Sequence, residues 1–379
     1  MSPTPPLPLA GFTVVELTDN ASAPFAGELL AQLGAEVWKV ERPGGDASRR
    51  WGFERWRGAC SSYHVLNRGK RALCLDVKNP DELAQLHRLI DEKADVFIHN
   101  LRPGTAGKYQ LDAETLRSRK PALVYCEVGA FGHKGPLREE PGYDPLMQAF
   151  SGIMSLTGDG DRPPSRAGVS IIDLGTGTWA ALGIITALLR RNIQGTGATV
   201  SCSLLETALT WMALSLGTAA AGGQQGERFG SGISFIAPSR AYMAADGYLM
   251  LSCANDALFV KLCEGLGHPE WSSDPRFENN TVRLQHRAEL DALLEACLVQ
   301  HPRDHWQRRL QAGGVPSAPV QTVEEVLANE QVKALGILGK SSDEEFDAVG
   351  FPLSFDGQRP PPLKPAGTLG QDNGLLREQ

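Results

Sequence analysis

The sequence of 379 residues lacks any paired cysteine motif. Its seven cysteines are scattered, odd in number and nowhere spaced as C-x-x-C. A disulfide framework or a zinc site needs cysteine or histidine residues at short, repeated spacings, so both are disfavoured. We therefore expect a protein of a reducing compartment that holds no metal.

The sequence also lacks an excess of positive charge. Lys and Arg number 37 against 44 Asp and Glu, which leaves a formal net charge of -7. A surface that binds a nucleic-acid backbone needs clustered cations, so a nucleic-acid partner is disfavoured. A small anionic ligand held by a few local arginines remains compatible with this composition.

Targeting and membrane-spanning signals are missing as well. The N-terminus, MSPTPPLPLAG, has neither the charged start nor the apolar stretch of a signal peptide. No segment is judged long enough and apolar enough to cross a bilayer. We therefore expect a cytoplasmic protein with no membrane partner.

Alternating strand and helix patterns run through the first half of the chain, whose 42% hydrophobic residues suffice for more than one core. Buried strands rich in β-branched residues are separated by segments with apolar residues at helical spacing. The predicted strands are 12–17, 35–41, 94–100 and 122–129, and the predicted helices are 24–33, 80–93 and 176–191. Such alternation indicates a parallel α/β sheet with ligands at the carboxyl ends of its strands.

The second half changes texture at a glycine-rich stretch, residues 217–239. Beyond it, residues 241–254 predict a hairpin around Asp246 and Gly247, followed by helices over 255–312. A turn, an extended piece and a helix are predicted over 313–332, and the tail from Phe346 to Leu363 alternates as strands do. These patterns predict a second, smaller α+β domain.

The segment GVSIIDLGTG, residues 168–177, places Asp173 between an apolar run and a predicted helix. The aspartate could cap the helix. Gly175, Gly177 and Ala180 also fit a dinucleotide fingerprint, although the acid expected about 20 residues further on is absent. The third reading is a nucleophile kept ionised by the positive end of the helix.

Taken together, several ordered segments resemble the family III CoA-transferases. They are APFAGELLAQLGAEVWKVERPGGDASRRWG, NRGKRALCLD, NLRPG, PGYDPLMQAFSGIMSLTG, GVSIIDLGTGTWAALGIITALLRR, AYMAADGYLML and DPRFENNTVRLQHRAELDALL. The resemblance implies a Rossmann-like large domain with a parallel sheet, built from residues 1–225 and 326–379, and a small α+β domain at 226–325. It also implies an interlocked homodimer.

The resemblance places Asp173 at the family's catalytic aspartate, so the nucleophilic reading is favoured and capping remains compatible with it. Attack on an acyl-CoA would give a mixed anhydride and then an aspartyl-CoA thioester, which passes CoA to a second acid. Backbone N-H groups near Gly175 or Gly142 are candidates for the oxyanion site. The implied substrates are an acyl-CoA and a small carboxylic acid, with no metal and no NAD.

Tyr143 and Asp144 follow from the same comparison. Tyr143 stands where the racemases of this superfamily carry a histidine base, and a phenol is a poor base at neutral pH, so transfer is favoured over racemisation. Tyr143 either contacts substrate or is a packed aromatic, and Asp144 either takes part in catalysis or holds nearby backbone. Gln148 is equally open.

The resemblance further implies a groove for CoA in the first half of the chain, where arginine forks suit phosphate. The residues implied are Arg42, Asn67, Lys70, Arg71, Leu73, Asn100, Arg102 and Lys108. Any one of these cations taken alone is more often a solvated surface charge.

The resemblance leans to the succinate-hydroxymethylglutarate type of this family, which implies a dicarboxylic acceptor acid. Arg228 and Arg240 are candidate partners of its distal carboxylate, or plain surface charges. The chain departs from the formyl-CoA transferase branch in having only GGQQG (222–226) where that branch carries a glycine-run lid. Two rival functions stay open at this point: an acyl-CoA racemase, and a CoA-binding protein without catalysis.

Overall fold

The computed structural model describes residues 6–52, 54–223, 228–342 and 347–376. The strands are β1 (Thr13–Leu17), β2 (Glu36–Glu41), β3 (Arg71–Cys74), β4 (Val96–His99), β5 (Val124–Gly129), β6 (Gly158–Asp159), β7 (Thr199–Ser203), β8 (Phe229–Gly230), β9 (Ser239–Ala244), β10 (Gly247–Ser252), β11 (Ser317–Pro319), β12 (Leu338–Lys340) and β13 (Asp347–Val349). The α-helices are α1 (Ser22–Gln32), α2 (Ser61–Asn67), α3 (Pro80–Lys93), α4 (Thr105–Lys108), α5 (Ala113–Arg119), α6 (Asp144–Phe150), α7 (Ile153–Leu156), α8 (Ile171–Gln194), α9 (Leu204–Trp211), α10 (Ala213–Ala220), α11 (Asp256–Leu266), α12 (Asn280–Gln285), α13 (Arg287–Leu298), α14 (Arg303–Ala312), α15 (Val323–Ala328) and α16 (Glu330–Ala334).

The chain divides into two compact units. The large unit comprises Met1–Ser151, Ala167–Leu214 and Gln331–Gln379, so it uses both ends of the chain. The small unit comprises Gly152–Arg166 and Ser215–Glu330. Each unit has a hydrophobic core of its own.

A six-stranded sheet of order β3-β2-β1-β4-β5-β7 forms the centre of the large unit. Every neighbouring pair in it is parallel, as the sequence alternation predicted. The strand order reverses between β1 and β4, because β2 and β3 lie on one side of β1 and β5 and β7 lie beyond β4. In open parallel sheets such a reversal leaves a crevice at the carboxyl ends of the strands, where ligands bind.

Both faces of this sheet are covered. On one face Val14 packs in a cluster with residues of α1 and α8, including Leu30 and Ile184. On the other face Val15 packs in a second cluster with residues of α3, including Leu86. Because successive strand residues point to opposite faces, a strand covered on both sides buries neighbouring residues, which explains why Val14 and Val15 are both apolar. The buried Glu16 interrupts this apolar run.

Helix α8 passes the length and composition test for a membrane span within the described part of the chain. The expectation that no segment is long and apolar enough was therefore wrong for this helix on those two criteria. The core helix of a soluble protein passes the same test. Here Ala180, Ile184 and Leu188 are buried in the core of the large unit.

The small unit is built on a three-stranded antiparallel sheet of order β11-β10-β9. The predicted hairpin around Asp246 and Gly247 is confirmed, with Gly247 paired to Ala244. Helices α11, α13 and α14 bury Phe259, Leu294 and Trp306 in its core.

The C-terminal tail follows its prediction only in part. Antiparallel strands β12 and β13 are present, with Leu338 opposite Val349. From 351 to 363 no strand forms, apart from an isolated bridge between Phe355 and Gln358. Prolines 360–362 have no N-H for a ladder, which overrides the alternating pattern. Phe346, where that prediction began, lies outside the described residues.

Candidate active site

A cleft of about 410 Å³ opens in the large unit at the carboxyl ends of the parallel strands. Its walls come from residues that follow β1, β4 and β5 and from the first residues of α1 and α8. Four residues predicted from the sequence line it together: Asn100, Arg102, Tyr143 and Asp173. The reversal of strand order therefore brings these four side chains together from three separate segments of the chain.

Asp173 is the third residue of α8 and lies in its first turn. The N-cap position is Ser170, whose side chain makes no capping hydrogen bond. The interpretation of Asp173 as a helix cap was therefore wrong, because α8 begins at Ile171, five residues before the predicted start at residue 176.

The missing cap is supplied by Asp144, which is 3% exposed. Its Oδ2 accepts hydrogen bonds from the N-H of Ile172 at 2.7 Å and of Asp173 at 3.2 Å, a contact over 28 and 29 residues of chain. The Gln148 amide donates to Asp144 Oδ1 at 2.5 Å and accepts from the N-H of Ala167 at 2.8 Å. Asp144 and Gln148 thus hold the first turn of α8 in place.

Burial raises the pKa of the Asp173 carboxyl to about 7, and the nearby Asp144 carboxylate contributes in the same direction. The sequence predicted instead that the positive helix end keeps Asp173 ionised. In the structure the neutral form of Asp173 is favoured instead, because the removal of water disfavours the charged form. In addition, the N-H groups of Ile172 and Asp173 at the start of α8 are already bonded to Asp144. Asp173 is therefore poised between its two protonation states at neutral pH.

Tyr143 lies directly before α6 at the mouth of the cleft, and 57% of its surface is exposed. The alternative that it is a packed aromatic is wrong. Its hydroxyl makes no hydrogen bond with any residue that the structure describes, so it is available to a ligand.

The predicted CoA residues divide between several places. Asn100 lines the cleft and clamps the loop after β1, accepting from the Asp19 N-H at 3.0 Å and donating to the Asp19 carbonyl at 2.7 Å. Arg102 also lines the cleft. Its guanidinium forms no ion pair or side-chain hydrogen bond with the described residues, which leaves it open to an anion.

Lys70 and Asn67 are buried. The Lys70 ammonium lies 2.8 Å from Glu16 and donates to the carbonyl of Pro24 and to Asn67. Burial lowers the pKa of Lys70 to about 8 despite that carboxylate. This lysine serves an internal ion pair beneath the loops and does not line the cleft.

The other predicted CoA residues also lie away from the cleft. Leu73 is fully buried in the core of the sheet. Arg42 pairs with Asp19 at 3.1 Å, Arg71 pairs with Glu36 at 2.8 Å, and the Lys108 ammonium lies over the Tyr109 ring. Arg71 borders a second groove in the large unit, of about 720 Å³.

Sequence reasoning missed several charged residues of the cleft. Glu127, His133, Arg138 and Glu140 all line it. His133 lies 3.8 Å from Glu127. These residues follow the carboxyl end of β5, just as Asn100 follows the carboxyl end of β4. Their position after a parallel strand was therefore the signal in the sequence that could have identified them.

Of the two glycines considered for an oxyanion site, only Gly142 lines the cleft. Gly175 is the fifth residue of α8, where a helical N-H already has an intrahelical acceptor. A Cβ at Gly175 would lie 2.8 Å from the Trp211 ring, so the residue serves close packing against α9.

The two arginines predicted for the acceptor acid are engaged within the small unit. Arg228 donates to the carbonyl oxygens of Asp159, Gly160 and Arg162, and Arg240 pairs with Asp291 at 3.0 Å. Neither is among the residues that line the cleft of the large unit, and their binding of the acceptor stays a prediction. Residues 224–226 of the GGQQG segment lie outside the described residues.

Across the residues that the structure describes, no group of three or more His, Cys, Asp or Glu side chains is arranged to hold a metal ion.

Comparison with known proteins relates this fold and cleft to one family. Residues 9–373 match the model of CoA-transferase family III. The chain is 38% identical to a succinyl-CoA–D-citramalate CoA-transferase of Chloroflexus aurantiacus (86% of this chain, 82% of that one) and 35% identical to a succinate–glutarate CoA-transferase of Agrobacterium fabrum (87% and 84%). It superimposes with a TM-score of 0.90 on a CAIB/BAIF family protein from Brucella suis, at 35% identity and 99% coverage of both chains. The chain therefore belongs to CoA-transferase family III and is an enzyme that uses CoA thioesters as substrates.

Proposed function

We propose that this enzyme transfers CoA from succinyl-CoA to a small dicarboxylic acid through covalent intermediates on Asp173. The observation that carries this proposal is the position of Asp173, a half-buried carboxyl without a side-chain partner among the described residues, at a cleft that also holds Arg102 and Tyr143.

The reaction begins with attack of the Asp173 carboxylate on the thioester carbonyl carbon. A C-O bond forms, the carbonyl electrons move onto oxygen, and their return breaks the C-S bond and releases the CoA thiolate. The thiolate attacks the Asp173 carbonyl of the mixed anhydride, which frees succinate and leaves an aspartyl-CoA thioester. The acceptor carboxylate then repeats both steps in reverse order, so no external base or oxidant is consumed.

A pKa near 7 suits this role. At neutral pH a large fraction of Asp173 is ionised. The same raised pKa makes that ionised fraction a stronger nucleophile than an ordinary aspartate, because oxygen nucleophiles gain reactivity with basicity. Burial thus makes the Asp173 carboxylate more reactive while a large fraction of it stays ionised at neutral pH.

The substrate class is supported by relatives and by charge. The two relatives described above are named for succinyl-CoA or succinate together with a second dicarboxylic acid. In the cleft, Arg102, Arg138 and His133 are cationic or can become so. They are candidate partners for the distal carboxylates of donor and acceptor.

We also propose that the enzyme works as a homodimer, interlocked as the family resemblance implies. Large apolar side chains of α8 and α9 are exposed within the large unit: Trp179, Leu182, Leu189, Ile193, Leu209 and Trp211. We call this set the α8–α9 apolar face. A soluble monomer rarely exposes large apolar patches, so a second copy of the chain is the proposed cover of these side chains.

The test is mass spectrometry of the enzyme mixed with succinyl-CoA, comparing wild type with Asp173→Asn. We expect a CoA or acyl adduct, or its hydroxylamine-trapped product, on the peptide that contains Asp173, and none in the variant. Transfer activity without any adduct at Asp173 would contradict the covalent route. If no transfer occurs but solvent deuterium enters the carbon next to the thioester, the enzyme is an isomerase.

A further inference from the structure

Ser22 is a buried polar residue that the proposed mechanism leaves without a role. It is the first residue of α1, it is 6% exposed, and it lines the cleft that holds Asp173. Its hydroxyl has no hydrogen-bond partner among the described residues. The hydroxyl oxygen is not sealed in the core but opens to the cleft, so it is available to a partner that arrives with the ligand.

The backbone around Ser22 has the same property. In the first turn of α1, the N-H of Phe25 bonds to the carbonyl of Ala21 at 2.9 Å, and Pro24 has no N-H. The N-H groups of Ser22 and Ala23 have no acceptor among the described residues. The start of this 11-residue helix therefore carries free donors and the positive end of the helix dipole.

The packing of α1 on α8 places Ser22 beside Asp173. Asp173 and Gly177 are four residues apart, so they lie on the same face of α8. A Cβ at Gly177 would lie 2.5 Å from the Ser22 carbonyl oxygen, which shows that this face is in contact with the first residue of α1. The Asp173 carboxyl makes no hydrogen bond with Ser22, so hydroxyl and carboxyl are both free at the same cleft.

We propose that Ser22 is a further catalytic residue, whose hydroxyl donates a hydrogen bond to the oxygen of the acyl group that Asp173 attacks. This inference rests on the proposed function. As the C-O bond to Asp173 forms, the electron pair of the carbonyl moves onto that oxygen. The Ser22 hydroxyl stabilises the negative charge there until the pair returns and the C-S bond breaks. The free N-H groups of Ser22 and Ala23 are suited to share the same oxygen.

The variant Ser22→Ala removes only the hydroxyl and leaves the N-H groups. Loss of one donor to a developing oxyanion typically lowers the rate by about 100- to 1,000-fold, and the remaining N-H groups offset part of that loss. We expect kcat for succinyl-CoA-dependent transfer to fall by about 10- to 100-fold, with the KM for succinyl-CoA little changed. Ser22→Thr keeps the hydroxyl and should retain most of the rate.

Three further measurements separate this role from a structural one. Ser118→Ala, which changes an exposed serine on α5 whose hydroxyl bonds to its own helix, should leave transfer unchanged. The thermal unfolding temperature of Ser22→Ala should match that of wild type. The rise of kcat with pH on the acid side of the profile, which follows the ionisation of Asp173, should also be the same in Ser22→Ala and wild type. The reason is that Ser22 makes no hydrogen bond with Asp173 in the free enzyme.

The outcomes are distinguishable from failure of the proposed function. If Ser22→Ala keeps the wild-type kcat, or if Ser22→Ala and Ser22→Thr lose the same fraction of kcat, the hydroxyl has no catalytic role. In either case the adduct on Asp173 would still form, so the proposed function would stand. A rate loss accompanied by a shifted acid limb would reassign Ser22 to the orientation of Asp173. If Asp173→Asn keeps full transfer activity, the covalent mechanism itself fails.

Discussion

Asp144 affects Asp173 in two ways, through hydrogen bonds and through its charge. Through its hydrogen bonds to Ile172 and Asp173 it fixes the first turn of α8, which favours a defined position for the nucleophile. Through its charge it raises the pKa of the Asp173 carboxyl, after burial has already done so. The reactivity of the nucleophile therefore depends on a second carboxylate that need not touch substrate.

The pH dependence of transfer should follow the ionisation of Asp173. Activity should rise with pH through about 7, because only the ionised carboxyl attacks. In Asp144→Asn the charge is lost, so the pKa of Asp173 falls and the acid limb of kcat against pH moves to lower pH. The limb should stay above the range of an ordinary aspartate, since burial is the first cause of the shift.

The matched control is Asp112→Asn. Asp112 also caps a helix, accepting from the Thr115 N-H at 2.9 Å, but it does not line the cleft. An acid limb that moves equally in both variants, or in neither, would contradict the assigned effect of Asp144.

Asp173 should also lower the stability of the fold above neutral pH. Its pKa is about 7 in the folded state against 3.8 in the ordinary state, so folding binds a proton between these values. The stability linked to that proton is fully present below about pH 4 and is lost as pH rises through 7. Asp173→Asn should therefore be more stable than wild type by about 1–3 kcal/mol at pH 8, and similar to it near pH 4.

Urea unfolding at the two pH values measures this difference. Asp112→Asn provides the opposite sign, because hydrogen bonds from Thr115 hold the pKa of that carboxyl below its usual range. Equal free energies of unfolding for Asp173→Asn and wild type at pH 8 would show that the fold does not raise the pKa of Asp173.

At the level of elements, the contact between α1 and α8 depends on a missing side chain. Because Gly177 has no side chain, the carbonyl oxygen of Ser22 can lie close to the backbone of α8. A Cβ added at Gly177 would lie only 2.5 Å from that oxygen. The Ser22 oxygen is a backbone atom and a Cβ would be fixed directly to the backbone of α8, so neither could move aside without shifting a helix. This contact sets the spacing between Ser22 and Asp173 as well as the packing of the core.

Gly177→Ala should destabilise the protein by about 1–3 kcal/mol through overpacking, although alanine favours helix more than glycine does. The matched control is Gly217→Ala in α10, where a Cβ would meet nothing within 4 Å. That variant should be stabilised by about 0.5–1 kcal/mol. Chemical denaturation of both variants measures the contrast, and two changes of the same sign would contradict the packing argument.

At the level of the whole molecule, the α8–α9 apolar face accounts for the proposed dimer. Leu189 is 61% exposed and Ile193 is 86% exposed, on a helix whose other side is buried in the core. Covering such side chains gains roughly 25 cal/mol for each Å² removed from water. An uncovered face of this composition would favour aggregation.

Light scattering after size exclusion should give the mass of a dimer for wild type at micromolar concentration. Leu189→Glu combined with Ile193→Glu should yield monomer or aggregate, because two charges would have to be buried at the interface. Val299→Glu, at an exposed apolar residue of the small unit, should keep the wild-type mass. A monomeric wild type would remove the dimer proposal.

The sequence by itself determined the parallel α/β sheet, the hairpin around Asp246 and the family. These follow from local patterns: continuous apolar runs for strands covered on both faces, helical spacing between them, and ordered segments that resemble one family. It also singled out Asp173, Tyr143, Asn100 and Arg102, which the strand ends bring to one cleft.

Only the tertiary structure decided which charges are free and which are used. Lys70 and Arg102 look alike in sequence, yet Lys70 is buried in an ion pair with Glu16 while Arg102 is open to the cleft. The cap from Asp144, the raised pKa of Asp173 and the unpaired hydroxyl of Ser22 likewise depend on contacts between distant segments. Burial and long-range hydrogen bonds set these properties, and neither leaves a periodic signal along the chain.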